Sequence, residues 1–197
     1  KNVLTNELRT ITSVNGLKTG TITAIYHSPA YNKTLIGNQN GLLLVINPDN
    51  SIAAKIDIIQ ETTVPPNQKK INHIYEHQGK VYIGCDFGIA VFNLATMEFG
   101  DTLFLGPVGA EIPVIQTAVH NGVIYAATLT NGLRTASVNN PNLNDYTQWS
   151  ESLPGRWEGV VSFNGSIFWA QYGSVVKDGS AFFVSMADEE PAITFPP

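Results

Sequence analysis

The sequence predicts an all-β fold made of four copies of one small antiparallel sheet, and three observations carry that prediction. A short segment recurs: Thr34-Leu35-Ile36-Gly37-Asn38-Gln39-Asn40-Gly41 returns in altered form as Val81-Tyr82-Ile83-Gly84-Cys85-Asp86-Phe87-Gly88. It returns again as Ile124-Tyr125-Ala126-Ala127-Thr128-Leu129-Thr130-Asn131-Gly132 and as Ile167-Phe168-Trp169-Ala170-Gln171-Tyr172-Gly173. The closing glycines lie 47, 44 and 41 residues apart. A turn marker runs in phase ahead of them, at Tyr31-Asn32, Gln78-Gly79, Asn121-Gly122 and Asn164-Gly165. Asn-Gly and its relatives take positive φ at little cost, as a two-residue hairpin turn requires. Each unit therefore reads as strand, tight turn, strand, glycine turn, strand. A period of this length holding strands alone is that of a β-propeller blade.

The units are predicted at residues 20–58, 69–104, 114–150 and 157–186. In the first, residues 22–26 alternate apolar and polar, the period of a half-buried strand. Asn32 turns the chain into a second strand at Leu35-Ile36-Gly37, and Gly41 turns it into a third, almost wholly apolar strand at residues 42–46. Asn47-Pro48-Asp49-Asn50 is dense turn chemistry, and residues 52–58 alternate as an outer fourth strand. In the second unit Ile71-Asn72-His73-Ile74-Tyr75 matches residues 22–26 place for place. Segments 63–68, 105–113 and 151–156 hold Pro or Gly and read as crossovers from the outer edge of one blade to the inner edge of the next. One sheet leaves both of its faces open, so stacked blades must cover each other, at about 25 cal/mol per Å² of apolar area. Tyr26, Tyr75 and Val119, with Leu35, Tyr82, Tyr125 and Phe168, are the expected filling.

Composition narrows the function classes. Charged residues are 14% and hydrophobic ones 43%, which excludes a disordered tail or a coiled coil. Eleven basic against 16 acidic residues give a net charge of −5, unsuited to general attraction for nucleic acid or an anionic membrane. No apolar run approaches the roughly 18–20 residues that cross a bilayer. The single Cys85 excludes an internal disulfide and a cysteine zinc site. The chain opens on Lys1; residues 7–14 read as an outer strand and residues 191–197 stop where another unit can begin. The expectation is therefore four blades with partial end units, a fragment of a larger propeller within an exported protein. A truncated ring would expose a blade face and favour self-association.

Signals for chemistry are sparse. His73 and His77 are four apart, but on a strand that places them roughly 13 Å from each other, too far to share an ion. His77 and His120 hold the same hairpin position in neighbouring units. No nucleophile elbow, zincin motif or phosphate-binding loop is present, and Leu105-Gly106-Pro107-Val108-Gly109 reads as tight backbone geometry. Asp86 beside Cys85 raises the thiol pKa and so works against a nucleophile. No catalytic residue, metal or cofactor is expected. The loops between second and third strands share one end of the propeller with the crossovers, and there they present Asn38, Asn40, Asp86, Phe87, Asn131 and Tyr172. Amides and aromatics suit sugars or extended peptide; turn geometry alone also accounts for Asn and Asp there.

Asn15-Gly16-Leu17, residues 22–25 and Leu35-Ile36-Gly37-Asn38-Gln39-Asn40-Gly41-Leu42 resemble the two-component regulator propeller repeat, echoed at Asn131-Gly132-Leu133-Arg134. The chain lacks that family's Trp at Leu35, Tyr82 and Tyr125. Lys69-Lys70-Ile71-Asn72-His73-Ile74, Asp86-Phe87-Gly88-Ile89, Gly106-Pro107 with Gly109, and residues 139–149 resemble more closely the amino-terminal propeller of PorZ-type components of type IX secretion. The resemblance implies a non-enzymatic docking module in the periplasm or on the surface of a Gram-negative-type bacterium. It implies a protein partner or a surface polysaccharide such as lipopolysaccharide, and brings no catalytic residues. The alternatives are a sensor propeller of a two-component regulator and a propeller lyase or glycosidase, which would need clustered acids or histidines on the loop face.

Overall fold

The computed structural model describes residues 20–171 and 174–183, together with Thr10, Thr12 and Val14. The first blade consists of β1 (Ile22–Ser28), β2 (Lys33–Asn38), β3 (Leu43–Ile46) and β4 (Ile52–Lys55). The second holds β5 (Ile71–His77), β6 (Lys80–Cys85), β7 (Gly88–Asn93) and β8 (Glu98–Leu103). The third holds β9 (Val114–His120), β10 (Val123–Thr128), β11 (Leu133–Ser137) and β12 (Ser150–Leu153). The fourth holds β13 (Gly159–Phe163), β14 (Ser166–Gln171), β15 (Ser174–Lys177) and β16 (Ser180–Phe183). Each is an antiparallel meander in chain order, and together they form a four-bladed β-propeller. β1 packs beside β5, β5 beside β9 and β9 beside β13, so the first strand of every blade is innermost. Among the described residues no such packing joins β13 back to β1.

The core lies between the sheets. Leu35, Leu43 and Val45 of the first blade meet Ile74, Val81, Ile83 and Phe92 of the second. Tyr82, Ile89 and Leu103 meet Val119, Ile124, Ala136 and Trp149. Ala118, Ala127 and Leu133 meet Val160, Ile167, Trp169 and Val176, where Tyr125 stacks on Trp169 at 6.4 Å and 15°. Val119 thus faces the blade before it. The residue in register with Tyr26 and Tyr75 is Ala118, opposite Tyr125. Gly37 is dictated by this stacking, since a Cβ there would run into Ile71 of the next blade.

The inner strands are also joined by polar side chains. A bulge shifts the register at Thr23 in β1, at Asn72 in β5 and at Ile115 in β9. The Thr23 hydroxyl donates to the Ile71 carbonyl at 2.5 Å, and Asn72 Nδ2 donates to the Val114 carbonyl at 3.2 Å. One residue further on, His73 Nδ1 accepts from Thr117 N–H at 3.3 Å and Gln116 Oε1 accepts from Val160 N–H at 3.2 Å. Edge groups that no neighbouring strand reaches are satisfied in this way, as buried backbone polar groups must be.

Three local features differ from the sequence prediction. The outer strand of the first blade stops at Lys55, and Asp57–Gln60 form a single helical turn, α1, that buries Ile58. The buried Lys69 holds this turn by donating to the carbonyls of Ile59 and Glu61 at 2.6 and 2.7 Å. The third blade does not end near 150: after a long excursion, anchored by buried Trp149 donating to the Leu143 carbonyl, β12 completes it at Ser150–Leu153. The first hairpin is wider than two residues, since Ser28 pairs with Lys33, while 78–79, 121–122 and 164–165 have two consecutive positive φ values. Asp178-Gly179 makes a further turn of that type. Apart from Thr10, Thr12 and Val14, the expected partial end units lie outside the described residues.

Candidate functional site

A meander alternates its loops between two ends. The β1–β2 and β3–β4 type turns share one end, and the β2–β3 type turns share the other with the crossovers between blades. The crossover end is where the sequence places the candidate residues, and the structure sorts them. Asn38 is 6% exposed, and its Oδ1 accepts the N–H groups of Asn40 and Leu42, both at 2.9 Å. Its side chain is committed to forming the turn. Thr128 does the same work in the third blade, accepting from Asn131 N–H at 3.0 Å and donating to the Gly132 carbonyl at 2.7 Å. Phe87 is 1% exposed, packs in the core between the first two blades and lies 6.2 Å from the Phe104 ring. It offers no face to a sugar ring, being buried in the same core cluster as Ile58 and Val64 of the first crossover.

Asn40, Asp86 and Asn131 remain. Asn40 is exposed, whereas Asp86 and Asn131 are half-buried. Asp86 Oδ1 accepts from Asn72 Nδ2 at 2.7 Å, so the loop carboxylate is tied to the bulge that contacts the third blade. Asn131 Oδ1 accepts from Thr130 Oγ1 at 2.6 Å. Tyr172 lies outside the described residues.

The crossovers add features that the sequence reading assigned to the backbone alone. Val108 is 88% exposed and sits at φ 58° and ψ 27°, left-handed geometry that a β-branched residue rarely adopts. Its Pro-Val-Gly context was the available signal. Ile56 and Ile59, flanking the buried Ile58, are each 40% exposed. Arg156 pairs with Glu158 at 3.0 Å in the open. Asp57, Glu61, Asp86, Glu111 and Glu158 outnumber the cations Lys55, Lys70 and Arg156 at this end, Lys69 being buried. The end is acidic with apolar tips.

Titration chemistry here is structural. Burial, with the Asp86 charge adding to it, pushes the Cys85 thiol far up, which leaves it an inert core group. Burial pulls the His73 imidazole from an ordinary 6.5 down to about 4, so it is neutral and accepts from Thr117 N–H. His120 Nδ1 lies 3.0 Å from Ser162 Oγ across the third and fourth blades, at the hairpin end. Among the described residues no three His, Cys, Asp or Glu side chains are grouped to hold a metal ion, and no helix is long and apolar enough to cross a membrane.

Fold and loops together define a β-propeller repeat module with its core between the sheets and its crossovers gathered at one end. A family model described as "TSS9, PorZ, N-terminal beta-propeller domain" matches residues 2–150. The chain belongs to the PorZ N-terminal β-propeller family. Among solved structures it is similar to PorZ, described as an essential surface component of the type IX secretion system of Porphyromonas gingivalis, at 14% identity and a TM-score of 0.73. That match covers 89% of this chain and 24% of PorZ. It is also similar to the extracellular domain of a hybrid two-component system of B. thetaiotaomicron (12% identity, TM-score 0.65, 90% of this chain and 26% of that one). The computationally designed Ika4 protein is a third (12% identity, TM-score 0.58, 85% of this chain and 94% of Ika4). At these identities the likeness is one of fold, and the chain spans about a quarter of the two bacterial relatives. No curated protein sequence matches the chain.

Proposed function

We propose that this propeller is a non-enzymatic docking module of an exported type IX secretion component and that its crossover end receives a protein partner. Membership of the PorZ family supports the secretion context, and a location at the periplasm or cell surface is in keeping with PorZ's description as a surface component. The observation that carries the docking reading is the contrast between the two parts of each blade. Most strand side chains between neighbouring blades are buried, while Asn40 and Val108 project from the crossover end and Ile56 and Ile59 are partly exposed there. Apolar tips on an acidic rim suit a protein surface with apolar sockets and basic margins. The same acidity works against an anionic polysaccharide such as lipopolysaccharide.

The experiment compares three forms of the chain on beads, exposed to outer-membrane extract of a type IX-secreting bacterium and, separately, to purified lipopolysaccharide. The forms are wild type, a crossover-end variant (Asn40→Arg with Val108→Glu) and a hairpin-end variant (Lys80→Glu). A defined secretion-machinery protein retained by wild type and Lys80→Glu, and lost from the crossover-end variant, is expected. Retention by all three, or binding of lipopolysaccharide alone, would refute the reading.

A further inference from the structure

Two-residue turns with paired positive φ are made in this chain from a polar residue followed by glycine: Gln78-Gly79, Asn121-Gly122, Asn164-Gly165 and Asp178-Gly179. Asn and Asp accept left-handed geometry because their short polar side chains find local hydrogen bonds. The crossover from the second to the third blade departs from this rule. Val108 and Gly109 hold φ 58° and 74°, and Ala110 N–H donates to the Pro107 carbonyl at 3.0 Å. A β-branched residue thus occupies the place that Asn takes elsewhere. Met97 is the other apolar side chain at positive φ among the described residues, and it packs against the core between the first two blades. Val108 has no such inward role, being 88% exposed. Pro107, Val108, Gly109 and Ala110 are all exposed and uncharged, on a base of buried Leu105, Gly106 and Ile112. The loop is braced by Gly106 N–H donating to the Ala110 carbonyl and Gly109 N–H to the Gly106 carbonyl, both at 3.0 Å. A Cβ at Gly106 would run into Ala110. The tip is a braced apolar knob.

We propose that Val108 is the anchor of the docking surface, held in left-handed geometry so that its isopropyl group enters an apolar socket of the partner protein. This rests on the reading that the crossover end receives a protein, and it names the anchoring residue and the partner's chemistry within that reading. The turn by itself would be served better by Asn, so a valine there is explained by what its side chain meets outside the molecule. The surroundings set the margin of the socket. The knob lies beside the turn Tyr146–Gln148 of the third blade's excursion, where Tyr146 is half-buried. Glu111 follows the knob and Asp145 caps that turn, while residues 103–113 and 138–150 contain no Lys or Arg. Arg134, on the strand before the excursion, is engaged with the Trp149 carbonyl, to which it donates at 2.9 Å. The partner's socket is therefore apolar at its floor and bordered by Lys or Arg. A loop already fixed in its bound shape loses little freedom on docking.

Affinity set against stability tests this. The probe is the secretion-machinery protein retained by wild type in the experiment above, identified by mass spectrometry, purified, and titrated calorimetrically against wild type, Val108→Asn, Val108→Ile and Asn40→Arg. Val108→Asn should melt at or above the wild-type temperature, since it restores the kind of residue the other turns use. It should bind about tenfold or more weakly, the scale of a valine side chain lost from an apolar socket. Val108→Ile keeps a branched apolar tip and should bind more tightly than Val108→Asn. A residue kept for the turn would behave the other way, losing stability on change to Asn and leaving affinity unmoved. Unchanged affinity of Val108→Asn, a lowered melting temperature for it, or Val108→Ile binding no better than Val108→Asn would overturn the proposal. If Val108→Asn binds as wild type does while Asn40→Arg is weakened, the docking reading stands and the anchor alone fails. If wild type retains no such protein, both fail.

Discussion

Acidification should weaken the molecule through His73 before its carboxylates respond. The imidazole titrates at about 4 in the folded protein against 6.5 in an open chain, because burial disfavours its charged form. At 1.36 kcal/mol per unit, that difference amounts to about 3 kcal/mol. The folded value is the lower one, so the unfolded chain takes up the proton first as pH falls. Stability from this group is intact above 6.5, declines through the interval and is fully lost below about 4. Geometry gives the same sign. Nδ1 accepts from Thr117 N–H, and a proton placed on it would set donor against donor between the second and third blades. The matching variant is His73→Asn, whose Oδ1 stands near the place of Nδ1 and does not titrate. Urea unfolding followed by tryptophan fluorescence, from neutral pH down to about 4.5, should show wild type losing about 2.5 kcal/mol more than the variant. Asp49, Glu61, Asp145 and Asp178 are held below the usual carboxylate range by hydrogen bonds, and their response is common to both proteins. Parallel pH profiles for the two proteins would refute the reasoning.

Three further outcomes are expected. Phe87→Ala should cost about 3–5 kcal/mol in urea unfolding, as truncation of a buried aromatic does, and should leave partner binding per folded molecule unchanged. Lys69→Met should cost about 1–3 kcal/mol, and the amides of Gln60 and Glu61, which donate to Ile56 and Asp57, should exchange faster with solvent. Val108→Gly should raise the melting temperature, gaining about 1 kcal/mol by releasing left-handed strain, with the far-ultraviolet spectrum unaltered.

The propeller was legible because its turns are. Asn121-Gly122 and Asn164-Gly165 adopt the paired positive φ values that their composition favours, and the strands between them had only one way to fold back. The candidate site was read less well, for a physical reason. Asn38 and a sugar-binding Asn have the same composition; only the two N–H groups converging on Oδ1 reveal that this one is used by its own turn. Phe87 was misread because a turn residue was equated with an exposed one, whereas the turn is tight enough to drop its second side chain into the core. β12 was missed because the Asn- and Pro-rich stretch before it looks like the end of a blade. Its return depends on Trp149, whose anchoring is a matter of tertiary packing. α1 was hidden by an alternation at 52–58 that fits a strand equally well.

The polar links between inner strands have a direction. Thr23, Asn72, His73 and Gln116 all belong to the earlier blade of their pair, and the backbone groups they satisfy all belong to the later one. A blade therefore finds its template already made by the chain that precedes it. Loss of blades from the carboxyl end leaves only solvated side chains idle, whereas loss from the amino end strips partners from a strand's backbone. For a polypeptide that leaves the ribosome or a translocon amino end first, construction can proceed blade by blade, each finished sheet acting as the mould for the next.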